Sequence, residues 1–128
     1  MLILLDTHTF LWAIHNSSRL SSTAVAVITD PANRLRLSAA SHWEMAIKSN
    51  QGKLTLARPF DVFISDEMKK LGVSTLRIEW ERLVEAERLP QHHRNTFDRM
   101  IIAQAIVEQM PVVSADADLD LYPVQRVW

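Results

Sequence analysis

Short apolar runs that end in a turn and give way to a helical pattern recur along this chain. That alternation limits the folds open to it more than any other feature. Leu2 to Leu5 is apolar at every position and stops at Asp6. A strand apolar on both faces belongs inside a parallel sheet. Thr9 to Ile14 then reads as helical, and a second helix follows the cap candidates Ser21 and Ser22 and ends near Pro31. Arg34 to Ser38 (RLRLS) alternates as a strand does, and Ala39 to Asn50 follows as a helix stopped by Gly52. The pattern repeats with a helix over Phe60 to Leu71, ended by Gly72, a strand over Val73 to Arg77, and a charged helix over Glu79 to Arg88, stopped by Pro90. After the polar segment QHHRNT, Thr96 is the expected N-cap of the helix FDRMIIAQAIVEQ. The strand PVVSAD ends at Asp116, and Val124 to Trp128 is the last strand. The expectation is an α/β fold, a central, mostly parallel sheet with helices on both faces. With 128 residues and no internal repeat, one domain over residues 1–128 is expected.

Composition excludes several chemistries. There is no cysteine, so a disulfide framework, a zinc-thiolate site and a cysteine nucleophile are ruled out. That fits a reducing cytoplasm. No apolar run approaches the roughly 18 residues of a membrane span. The opening MLILLDTHTFLWAI lacks a basic flank and carries Asp6 and His8, so it reads as core rather than as a signal peptide. The formal net charge is −1, not the global basic signature of a nucleic-acid binder. A nucleic-acid substrate would need a local basic patch or bound cations.

Four acids stand where an α/β sheet places its chemistry. Ligands of such sheets bind outside the carboxyl ends of the strands. Asp6 and Asp116 each end a strand, Asp98 lies in the first turn of the helix before the Asp116 strand, and Glu44 lies in the helix after RLRLS. Each has an ordinary explanation. Asp6 and Asp116 suit caps or turns. Asp98 favours a helix dipole by about 0.3–1 kcal/mol. Glu44 suits an i,i+4 ion pair with Lys48. Clustering is what shifts the balance. Two carboxylates about 5 Å apart repel by roughly 3 kcal/mol at an effective dielectric near 20. A pocket of several therefore destabilises the fold unless the acids are protonated or bound to cations, and oxygen-only donors suit Mg²⁺ or Mn²⁺. Such a site activates water for attack at phosphorus.

The segments LLDTHTFLW, LSAASHWEMAIK, HHRNTFDRMIIAQA and PVVSADADLDLY, in that order and spacing, resemble the PIN-domain family, in particular its VapC-type toxins. The resemblance covers essentially the whole chain. It implies a Mg²⁺- or Mn²⁺-dependent endoribonuclease, the toxin of a type II toxin–antitoxin pair. It assigns Asp6, Glu44, Asp98 and Asp116 to the metal-binding catalytic cluster, with Ser114 in the hydroxyl position before the last acid. It also implies products with a 5′-phosphate and a 3′-hydroxyl, a cytoplasmic homodimer, and an inhibiting antitoxin protein that inserts a segment at the active site. Two departures stand out. Asn95-Thr96 replaces the Asp-Pro frequent in the family, and the run ADADLD leaves Asp118 as an alternative to Asp116 for the fourth ligand.

Around these acids, His8 is expected to pack near the strand end, and His92 and His93 to sit in a solvated loop. Arg94 and Arg99 are candidates for RNA phosphate, with Lys48 and Lys53 weaker ones. Trp12 and Trp43 are expected in the core, although either, or Trp80, has the chemistry to stack a base. The Phe60–Leu71 helix is a candidate partner surface. The main rival is a non-catalytic acidic-pocket module resembling a phospho-receiver. That module needs an Asp at a central strand end and a late Lys; RLRLSAAS has no Asp, and no Lys follows Lys70. An aspartyl-nucleophile phosphatase needs a second Asp where His8 stands.

Overall fold

A computed structural model of the chain describes residues 1–92 and 95–128. Its five strands are β1 (Leu2–Leu5), β2 (Arg34–Ser38), β3 (Val73–Leu76), β4 (Val112–Val113) and β5 (Arg126–Val127). They form one sheet in the order β3-β2-β1-β4-β5, and every pairing is parallel. The helices are α1 (Thr7–Ile14), α2 (Ser22–Thr29), α3 (Ala39–Asn50), α4 (Phe60–Leu71), α5 (Trp80–Arg88) and α6 (Thr96–Glu108), with a 3-10 turn at Ala117–Leu121. This is the α/β arrangement that the alternation predicts.

The pleat of β1 explains its uninterrupted apolar run. Ile3 and Leu5 face a core built with α1, α2 and α4, where Phe10, Ala24, Ile28, Phe63 and Ile64 are buried. Leu4 faces the opposite way, into a second core with Ile101, Ile102 and Ala105 of α6. Val113 and Val112 of β4 divide between the same two cores. A polar residue at any of these positions would face a packed layer rather than water, which is why both strands read as apolar throughout.

The helix ends follow local chemistry. Ser21 caps α2, its hydroxyl accepting from Ala24 N at 3.0 Å. Gly72 ends α4 with φ +70°, a left-handed conformation that glycine adopts without a Cβ penalty. The N-cap of α6 is Asn95, not Thr96 as expected. The Asn95 carboxamide oxygen accepts from Phe97 N at 2.9 Å and Asp98 N at 3.1 Å, and asparagine is among the strongest N-caps. In α4, Phe63, Ile64 and Met68 turn inward and are buried, while Val62 on the same helix stays exposed. Among the described residues, no helix is long and apolar enough to cross a membrane.

Candidate active site

The order in which strands are added reverses at β1. Strand β2 lies on one side of it and β4 on the other, which makes the carboxyl ends of β1 and β4 the topological switch point where α/β sheets bind ligands. Asp6 follows β1 directly, and its backbone N–H donates to the Val113 carbonyl at 3.2 Å. Asp116 follows β4 by three positions. A cavity of about 350 Å³ opens there, lined by Asp6, Asp98 and Asp116 together with His8, Trp12 and the apolar Ile101, Ile102 and Leu119. Three of the four predicted acids thus share one cleft although 110 positions separate the first from the last (116 − 6).

Two of these acids are also caps, as the ordinary reading anticipates. Asp6 Oδ1 accepts from Thr9 N at 2.7 Å and caps α1. Asp116 Oδ1 accepts from Asp118 N at 3.0 Å and caps the 3-10 turn. Capping fixes each carboxylate through one oxygen, so cap and ligand are compatible roles for the same side chain. Ser114, fully buried, accepts from Asp116 N at 3.0 Å and so holds the turn that presents Asp116. Asp118 is exposed and is not among the lining residues.

Glu44 is placed differently. It is 2% exposed and does not line the cavity. Its Oε2 accepts from Lys48 Nζ at 2.8 Å, while Oε1 is buried without a hydrogen-bond partner. Its helix meets the other site elements on two sides. Ser41, one turn earlier, accepts from the Thr7 hydroxyl at 2.9 Å beside Asp6. Trp43 packs edge-on against Phe97, beside Asp98, with ring centroids 5.7 Å apart.

Oxygen-only donors suit a hard divalent cation, and a buried carboxylate oxygen without a partner is the kind of group a cation would satisfy. Among the described residues no three carboxylates or imidazoles are gathered closely enough to chelate one directly. Mg²⁺ tolerates such spacing, because it commonly keeps several waters and takes only one or two carboxylates. The residues present therefore fit such a cation.

Several expected contacts take other roles. The Arg99 guanidinium, a candidate for phosphate, donates to the carbonyls of Ala86 at 2.8 Å, Leu89 at 3.1 Å and Pro90 at 3.0 Å. It clamps the end of α5, where carbonyls lack helical partners. Arg94 and His93 lie outside the described residues, so the phosphate role of Arg94 has no structural counterpart here. Trp43, expected in the core, is 62% exposed. Trp80 is exposed too, with Val84 and Arg88 beside it in a separate surface hollow. The cavity also takes two residues expected mainly in packing roles, His8 near the strand end and Trp12 in the core. His8 and Trp12 line the cavity, their rings 5.9 Å apart. Trp12 in turn packs against Trp128 at 5.8 Å and lies under Arg19, whose Cζ is 5.9 Å from the ring. The signal was available: positions 8 and 12 are one helical turn apart on a helix capped by Asp6.

A family model described as PIN domain matches residues 3–124. Ribonuclease VapC16 of Mycobacterium tuberculosis is 38% identical over 69 residues, 51% of this chain and 49% of that protein. The match thus spans about half the length of this curated relative. Similar solved structures include VapBC2 from Rickettsia felis bound to a DNA fragment from their promoter, with a TM-score of 0.72, 12% identity and coverage of 98% of this chain and 97% of that one. VapBC-1 from nontypeable Haemophilus influenzae gives 0.66 and 15%, covering 98% and 96%. FitAcB from Neisseria gonorrhoeae gives 0.63 and 16%, again covering 98% and 96%. At these identities the likeness is one of fold.

Proposed function

This chain belongs to the PIN-domain family, and from that premise we propose that residues 1–128 form a divalent-cation-dependent endoribonuclease, the VapC-type toxin of a type II toxin–antitoxin pair. One observation carries the reading: Asp6, Asp98 and Asp116 line a single cavity at the switch point of the sheet. The match to a ribonuclease of M. tuberculosis supports the choice of RNA as substrate.

In this reading Asp6, Asp98, Asp116 and Glu44 would hold Mg²⁺ or Mn²⁺, one or two of them directly and the others through water. When bound, the cation supplies Lewis acidity, which acidifies water and offsets charge building on the phosphate. The chain's own residues supply position. Caps fix one oxygen each of Asp6 and Asp116, so little reorganisation is needed when substrate arrives. Ser114 holds the turn bearing Asp116. Ile101, Ile102 and Leu119 give the cleft an apolar wall that limits water. His8 and Trp12 form its rim. Hydrolysis leaves a 5′-phosphate and a 3′-hydroxyl.

The proposed setting is the cytoplasm, with the chain as a homodimer held inactive by a cognate antitoxin protein. The VapBC structures of like fold support that partner class. The test is induced expression with sequencing of new RNA 5′ ends, beside the Asp6→Asn variant. New ends that appear with the native protein and not with the variant support the reading. Ends that appear equally with both overturn it.

A further inference from the structure

Glu44 and Lys48 form an i,i+4 pair of the kind that decorates exposed helices, where it contributes little. Here the acid is not exposed. The Glu44 side chain is 3% accessible and the Lys48 side chain 40%. A buried carboxylate needs a counter-charge and full hydrogen bonding. Lys48 Nζ meets Oε2 at 2.8 Å, whereas Oε1 has neither. One carboxylate oxygen is thus held by a lysine that can swing into water, and the other is left unsatisfied on a helix packed against α1 and α6, which carry Asp6 as cap and Asp98. Ser41, one turn before Glu44 on the same face of α3, touches Thr7, which follows Asp6.

We infer that the Lys48 ammonium is a resident counter-cation of Glu44 that opposes divalent-cation binding, so that Lys48 sets how tightly the cleft holds its metal. The inference rests on the metal-dependent reading above. An ammonium fixed beside one ligand repels a doubly charged ion seated on the same carboxylate. In a half-buried site that repulsion is only partly screened. Lys48 is here a positioning residue, acting through Glu44.

The test is Mn²⁺ binding to the purified full chain by calorimetry, with the Mn²⁺-induced shift in Tm as a second readout. The variants are Lys48→Met, Lys48→Arg and, as a remote control, Lys70→Met, which removes the partner of Glu67 on α4. Lys48→Met is expected to bind Mn²⁺ roughly tenfold more tightly than the native chain. It should also melt lower without metal and show the larger Mn²⁺ shift. Lys48→Arg and Lys70→Met should match the native protein. Native-like or weaker Mn²⁺ binding by folded Lys48→Met overturns the inference and leaves the metal site standing. Equal tightening by Lys70→Met also overturns it, because the effect would then be one of net charge. Absence of Mn²⁺ binding to the native chain overturns the metal reading and this inference together.

Discussion

The Thr9 hydroxyl donates to the Val113 carbonyl at 2.8 Å across 104 positions of sequence, with both residues buried. This bond ties α1, whose cap is Asp6, to the strand that delivers Asp116. It therefore holds two of the candidate ligands in register. Replacing Thr9 with Val keeps the volume and removes the donor. Because the same carbonyl also accepts from Asp6 N, it is not left orphaned, and the expected loss is about 1 kcal/mol in urea denaturation. Thr9→Ser should retain most of that stability.

Asp6 acts as cap and candidate ligand at once, and two substitutions separate the roles. Asn preserves the cap, so Asp6→Asn should fold with stability close to native while RNA cleavage falls on the order of a hundredfold or more. Asp6→Ala should lose cleavage equally and a further ~1 kcal/mol of stability. Denaturation curves beside cleavage assays distinguish the two effects.

These acids were legible in the sequence because two of them end apolar runs and one begins a helix. Glu44 was legible as an acid among apolar neighbours, but the face it occupies was not. The expectation of a core Trp43 put the inward face of α3 on its side. The structure instead buries Ala40, Ser41, Glu44 and Met45. Helical periodicity identifies a face from its apolar residues, and here the inward face also carries the polar Ser41 and Glu44. The alternation of strands and helices was readable throughout, whereas the two-residue lengths of β4 and β5 were not, since side-chain pattern does not mark where backbone pairing stops. The triple carbonyl clamp of Arg99 depends on the end of α5 lying beside α6, which no local pattern encodes.

Trp43 provides a check on that correction. A core tryptophan cut to alanine costs about 3–5 kcal/mol. At 62% exposure, with its edge contact to Phe97, Trp43→Ala should cost only about 1 kcal/mol. A loss in the core range would return the ring to the interior.

Arg126 clamps the segment after Asp116. It donates to Asp120 through Nε and Nη2, each at 3.0 Å, and to the Ser114 carbonyl through Nη1 at 3.2 Å. The hydrogen bond from Arg126 holds the Asp120 carboxyl below its ordinary value of 3.8. A depressed carboxylate contributes stability above its unfolded pKa and loses it as pH falls through the folded value. Arg126→Met should therefore flatten the decline in stability below about pH 4, measured by urea denaturation across an acid series.

His42 gives a second pH signature. Burial lowers its pKa from 6.5, and its Nε2 lies 3.1 Å from the Thr75 hydroxyl. Burial disfavours the charged ring in the folded chain, so its contribution is complete above pH 6.5 and is lost as pH falls through the lower folded value. His42→Gln should remove that part of the slope below about pH 6.5.

The central claim is that the acids at the switch point hold a divalent cation used to cleave RNA. Its most direct test is cleavage of an RNA identified from the new 5′ ends, by purified native chain and by Asp98→Asn, with Mn²⁺ or Mg²⁺ and with EDTA. A metal-dependent nuclease gives cleavage by the native chain that EDTA and Asp98→Asn both abolish. Cleavage that persists in EDTA, or at native rate in folded Asp98→Asn, contradicts it.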